Sequence, residues 1–210
     1  MNLLSSISDR YGVLAQIAYQ QYLKMLIQGI GRDCHIHPSV RLRFPQKIWI
    51  GDQAEIRRGC GLYARTERIT GIYIGTRCRI KEFCILDSYG GSIKLGQQVL
   101  LGQGSTIHGH GCVEIGDYTL IGAHTTILSN NHSFAQLPNL IQDQPEIMKP
   151  TTIGRNVWIG ASVVVLAGVT IGDNSVIGAG AVVTHSIPLG SLAYGVPATV
   201  RRQLIEKVTQ

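Results

Sequence analysis

Residues 153–188 read IGRNVW IGASVV VLAGVT IGDNSV IGAGAV VTHSIP. An aliphatic residue returns every six positions, at Ile153, Ile159, Val165, Ile171, Ile177 and Val183, and a small or apolar one stands four places after each, at Val157, Val163, Val169, Ser175, Ala181 and Ile187. A helix would space its apolar residues by three and four, and a half-exposed sheet would alternate by two without a six-residue frame. Short strands wound into a parallel coil satisfy the period, because six residues make one flat side and its corner.

Worked outward, the frame runs back to Ile30 in trios, three steps to a coil: Ile30, Ile36, Leu42; Ile50, Ile56, Leu62; Ile74, Ile80, Leu86; Leu95, Leu101, Ile107; Ile115, Ile121, Ile127; then the two coils quoted above. Glycine follows the first member of every trio, at Gly31, Gly51, Gly75, Gly96, Gly116, Gly154 and Gly172, which fits a corner that needs either positive φ or a close backbone approach. The spacing predicts an all-β repeat of about seven coils ending near Pro188. Additions to the regular spacing all fall after the third step, at one corner of the prism, and the largest lies between Ile127 and Ile153. Long loops on a rigid scaffold are where sites are usually placed.

The chain has 210 residues, 44% of them hydrophobic and 15% charged, a globular composition and not that of a disordered nucleic-acid-binding tail. The formal charge of +6 is local: residues 32–81 hold eleven Lys or Arg against four acids. The first reading of that run is a solvated outer face, with attraction to an anionic glycan or a membrane surface as the alternative; no aromatic stacking pattern accompanies it, so nucleic acid is not expected as a partner. Five cysteines without a CxxC pair suggest neither a disulfide framework nor a zinc ribbon, but thiols in a reducing, cytoplasmic setting. Cys34, Cys60, Cys78 and Cys84 fall four places after an inward aliphatic and should be buried.

Before the repeat, Leu14, Ala18, Tyr22 and Met25 lie opposite Gln16, Gln20, Lys24 and Gln28, which predicts an amphipathic helix from about Asp9 to Gln28. Its expected role is to cap the open end of the coil; a peripheral membrane contact is the alternative. The charged pair Asp9 and Arg10 breaks the apolar run of a secretory signal. The expected organisation is a helical cap over residues 1–29, the repeat over 30–188 with a long loop at 128–152, and a C-terminal extension over 189–210 that reads as a turn and extended segment, then a short helix or basic tail.

With VEIGDYTLIGAHTTIL, NNHSF, the 153–188 stretch and YGVPA in view, the chain resembles the hexapeptide-repeat acyltransferases, in particular the galactoside and maltose O-acetyltransferases. The resemblance implies a left-handed parallel β-helix, a homotrimer with sites between subunits, and acetyl-CoA as donor without a metal. It puts the family's catalytic histidine on His132, as a general base that takes the proton of a sugar or glycan-precursor hydroxyl while the oxygen attacks the thioester; histidine suits the task because it titrates near neutral pH. Carried over in the same way, Gly160 and Ala161 would offer backbone N–H groups to the oxyanion, and Trp158 would either flank the pantetheine arm or pack as an outer-face aromatic on a neighbouring subunit. Ala179 and Thr184 would line the donor channel, Pro197 would lie against the adenine and Arg202 near the phosphates. Asn130, Asn131 and His110 share the elaborated corner and are assigned to the acceptor. His185 and Thr199 stand where relatives often have Lys and Arg.

Within the enzymes, an amino acid or an antibiotic is the alternative acceptor. A zinc-dependent, carbonic-anhydrase-like protein would need three convergent imidazoles, and a non-catalytic scaffold would lack acyl-CoA binding.

Overall fold

Ile48–Ile50, Glu55–Ile56 and Gly61–Tyr63 form three short strands joined by sharp corners, and together they make one turn of a triangular coil. The computed structural model describes residues 18–204, and every repeat unit within them behaves this way. Strands stack in parallel on their counterparts one turn on, giving three sheets. Sheet A runs from Gly29–Ile30 to Thr170–Ile171, sheet B begins at His35–Ile36, and sheet C runs from Arg41–Arg43 to Val182–Val183.

The register is that of the sequence frame: Ile50 lies on Ile74, Ile56 on Ile80 and Leu62 on Leu86. These side chains point into the prism and are fully buried. Each contributes roughly 1.5–3 kcal/mol by leaving water, which is what drives so many short strands into one stack. Outward residues of the same strands stay polar or half-exposed.

The glycine column serves close approach, not positive φ. A Cβ at Gly51 would lie 2.7 Å from the Thr76 nitrogen of the next coil. Left-handed backbone falls two places later, at Gln53, Arg77, Gln98, Tyr118, Asn156 and Asn174. All four predicted cysteines are buried. Their thiols donate to carbonyls of the following coil, Cys78 Sγ to Gly96 O at 3.0 Å and Cys34 Sγ to Gly51 O at 3.1 Å. Thr119 Oγ1 does the same to Gly154 O at 2.8 Å, and Ser175 Oγ to Pro188 O at 3.0 Å. A cysteine here is therefore a small side chain with a weak donor, in a place that serine and threonine also fill.

The stack is longer than the expected seven coils. Ile187 bridges to Ile171, and Ser191–Gly195 adds an eighth parallel rung to sheet B before Ala198–Gln203 folds back antiparallel on it. The frame resumes two residues early at Ile187 and continues to Ala193, so the repeat passes Pro188. Up to Leu204 the extension is this hairpin and contains no helix. At the other end residues 18–26 are helical, and Leu23 of that helix and Ile27 just after it are buried in the same hydrophobic cluster as the coil. The part of the predicted helix before residue 18 lies outside the described residues.

Candidate active site

The long loop leaves the corner between sheets C and A on two buried hydroxyls. Ser129 Oγ donates to His108 O at 2.6 Å, and Thr151 Oγ1 donates to Leu128 O at 2.6 Å. Between them the chain forms a hairpin in which Asn130–His132 pairs antiparallel with Glu146–Met148. The tip is ordered by one buried side chain, Gln144. Its Oε1 accepts from Ser133 Oγ at 3.3 Å and Gln136 N at 3.2 Å, while Nε2 donates to Asn139 O at 3.2 Å.

His132 ends the outgoing strand, exposed, directly across from Glu146. The Glu146 carboxylate accepts from Asn130 Nδ2 at 3.1 Å and from His110 Nδ1 at 3.4 Å. The His110 side chain is only 14% exposed. Its ring lies 4.8 Å from that of Tyr89 and 5.9 Å from that of His108, and the Arg65 guanidinium lies over the Tyr89 ring at 5.0 Å. His110 thus braces the hairpin from the preceding coil, and Asn130 ties the hairpin to itself; Asn131 is exposed. Burial, aided by His110 and opposed by Asp87, holds His108 below the usual histidine range. Glu146 escaped the sequence reading because a lone carboxylate in a loop carries no periodicity. Among the described residues no three His, Cys, Asp or Glu side chains converge as a metal site would need.

The residues assigned to the donor sit elsewhere. Trp158 stands on the outer face of sheet B, 58% exposed, between Leu120 and Val176 of neighbouring strands. Gly160, Ala161 and Ala179 form the corner between sheets B and C. The Gly160 N–H is taken by Ile177 O at 2.8 Å, so it is not available to an oxyanion. Ala161 and Ala179 are different: among the described residues neither N–H has a partner.

The corner between sheets A and B explains this openness. There the equivalent amides are capped wherever the next coil supplies an aspartate, Gln97 N by Asp117 Oδ1 at 2.9 Å and Arg155 N by Asp173 Oδ1 at 2.8 Å. Where the A–B corner has aspartate, the B–C corner has Ala123, Ala161 and Ala179, whose methyl groups cannot accept. Successive coils at Ala123, Ala161 and Ala179 therefore present open donors among the described residues, and those of Ala161 and Ala179 follow the Trp158 rung, a place for a carbonyl or an oxyanion.

Thr184 lies at the C–A corner, its Oγ1 2.8 Å from His185 Nδ1. Pro197 is at the tip of the C-terminal hairpin and Arg202 on its last strand, both exposed, with Arg201 stacked on Tyr194 at 5.2 Å. His132 and the open amides thus occupy different edges of one prism. Sheet C separates them.

Residues 150–185 match the family described as bacterial transferase hexapeptide (six repeats). The chain is 36% identical over 194 residues to a probable acetyltransferase of Mycobacterium tuberculosis, a match covering 91% of this chain and 62% of that protein. To nodulation protein L of Rhizobium leguminosarum bv. viciae it is 40% identical over 152 residues, 72% of this chain and 75% of that one. So it spans less than two thirds of the first relative and three quarters of the second. Among solved structures, a galactoside acetyltransferase in complex with coenzyme A superposes with a TM-score of 0.51 at 28% identity, over 90% of this chain and 70% of that one. The coil is a left-handed parallel β-helix, as the resemblance implied.

Proposed function

Because this chain belongs to the hexapeptide-repeat family of bacterial transferases, we propose that it is an acyl-CoA-dependent O-acetyltransferase. It moves an acetyl group from acetyl-CoA to a hydroxyl of a sugar or glycan precursor. The observation that carries the reading is the pair of open N–H groups at Ala161 and Ala179 beside exposed Trp158. Amides fixed in a stacked backbone need no reorganisation when charge develops on an oxygen, which is how such donors lower a barrier. His132 takes the proton of the acceptor hydroxyl, whose oxygen bonds to the thioester carbonyl carbon. The C–S bond then breaks, and the imidazolium returns the proton to the departing sulfur.

This chemistry needs His132 and the open amides together, and they stand on separate edges of one chain. A homotrimer brings the loop of one copy to the B–C edge of the next. Support comes from the loop itself, which leaves Phe134, Leu137, Leu140, Ile141, Ile147 and Met148 exposed; so large an apolar surface on a single chain calls for a cover. In the same reading Thr184, Pro197 and Arg202 follow the donor toward its adenine and phosphates, Asn131 faces the acceptor, and the site works in the cytoplasm. A peripheral membrane contact would use Tyr22 and Met25 on the capping helix, since no described helix is long and apolar enough to cross a membrane.

The test is release of free thiol from acetyl-CoA against a panel of sugars, glycan repeat units and amino acids, with light scattering on the same sample. Turnover with a sugar and a mass of three chains is the expected result. A monomer that turns over at full rate would overturn the shared site, and turnover with amino acids alone would overturn the acceptor class.

A further inference from the structure

The outer face of sheet B carries one column of side chains in strict register: His35, Glu55, Arg79, Leu100, Leu120 and Trp158. Beside it, on the corner, run Gln53, Arg77, Gln98 and Tyr118, each displayed by left-handed backbone. The two columns enclose an open trough of about 630 Å³. Leu120 lines its end and is the strand neighbour of Trp158, so trough and indole are continuous along one face.

The chemistry of the trough is polar and unevenly satisfied. Glu55 is paired with Arg57 at 2.7 Å, and Arg77 Nε donates to Gln53 Oε1 at 2.8 Å. Arg79 is left over: among the described residues it has no carboxylate within 4.0 Å and no side-chain hydrogen bond. Gln98, beside it in the next coil, has no side-chain partner among them either. Leu120 is the one apolar side chain in the lining. An exposed guanidinium with its donor fork open, flanked by amides, suits an anionic oxygen group bonded to a polyhydroxylated body. The local excess of cations over residues 32–81 falls on these coils and would draw such a ligand in.

We propose that this trough is the acceptor subsite, that it takes a sugar bearing a phosphate or carboxylate group, and that Arg79 holds the anion. It rests on the acetyl-transfer reading only for what happens to the sugar once bound. A ligand anchored at Arg79 and extending along the column reaches Leu120, next to the indole assigned to the donor. Span and polarity together favour a sugar with a charged substituent over a bare neutral hexose.

The experiment titrates glucose 1-phosphate, glucuronate and glucose into the full chain without acetyl-CoA, and into Arg79→Ala and Arg79→Lys. Both anionic sugars should bind better than glucose, and whichever binds more tightly identifies phosphate or carboxylate as the anion read. Arg79→Ala should weaken the better one by roughly 10- to 100-fold, the worth of a charge-assisted contact. Arg79→Lys should recover part of that loss. Equal binding of all three sugars, or parental affinity in Arg79→Ala, overturns the proposal, as does inorganic phosphate binding as tightly as glucose 1-phosphate. Acetyl-CoA is titrated separately. A chain that binds the anionic sugar through Arg79 but not acetyl-CoA keeps the trough and loses the transferase reading, whereas one that binds acetyl-CoA but neither anionic sugar loses the trough alone.

Discussion

Glu146 stands directly across the hairpin from His132, and its carboxylate ties the Asn130 amide and the His110 ring to one point. A loop that carries the proposed base must return to one position after every turnover, and this carboxylate couples it to the coil beneath. Glu146→Gln keeps the shape but gives up the charge-assisted contact with His110, and a small displacement of a reacting group is enough to slow a reaction. We expect kcat to fall about tenfold with the KM for acetyl-CoA unchanged. A parental kcat would remove Glu146 from any positioning role.

His132→Ala tests the proposed base. The side chain is exposed and outside the inward frame, so the fold and acetyl-CoA affinity should be preserved. Loss of a general base lowers rate by ~100- to 10,000-fold, whereas loss of a mere contact would chiefly raise KM. Transfer within threefold of the parent at saturating substrates would rule out His132 as the base.

The open corner can be closed by design. Ala179 lies where Asp173 lies on the neighbouring edge, one coil beyond the amide to be capped. Ala179→Asp should fold normally, with its carboxylate accepting from the Ala161 N–H as Asp173 does from Arg155. Turnover should fall by roughly 100-fold or more, read by thiol release beside an unchanged melting temperature. Undiminished turnover would mean that these amides do not serve the oxyanion.

Burial pushes the Cys78 thiol up to about 11, and Cys84 higher still through its contact with the Cys60 sulfur and its own burial. Thiols so poor in thiolate are not nucleophiles at neutral pH. Cys78→Ser keeps a donor for Gly96 O and should change stability by no more than ~1 kcal/mol, while Cys78→Leu overfills the corner and should cost ~1–3 kcal/mol. Denaturant titration separates the two. A labelled acetyl group trapped on any of these sulfurs without acceptor would refute direct transfer.

His108 supplies a pH dependence whose sign follows from its environment. Its folded pKa lies below the ordinary histidine value, first because the ring is partly buried and then because His110 is near. In the window between the two values the unfolded chain binds more protons, so stability rises with pH there. The stabilising contribution is complete above the unfolded value and is lost as pH falls toward the folded one. Melting temperature should drop between pH 7 and pH 5, and His108→Gln should flatten that drop; an equal slope in both proteins would place its origin elsewhere.

The inward column was legible because Ile50, Ile74 and their counterparts have one place to go, and a sixfold period admits one solution. The cysteine positions followed from the same frame. Legibility ended where the frame did. Ala193 belongs to the eighth rung, but a two-residue deletion at the corner and an alanine in an Ile, Leu or Val position concealed it. The choice between Gly160 and Ala161 as donor depends on which amide the next coil consumes, something only the stacked register decides. Glu146 answers to an antiparallel pairing inside a loop, for which the sixfold repeat holds no signal.

A coil whose turns bond only to the turns above and below has no intrinsic length. Each end presents a ring of unpaired strand edges, a template on which another coil could grow. At one end Leu23 of the helix and Ile27 just after it are buried in the core cluster, and at the other Ala198–Gln203 turns back against the last rung of sheet B, running opposite to every earlier strand of that sheet. That reversal spoils the register for a parallel newcomer. Removing the hairpin would leave Val176–Ile177 as a bare parallel edge, and the expected product is a fibre: molecules joined end to end, lengthening with protein concentration.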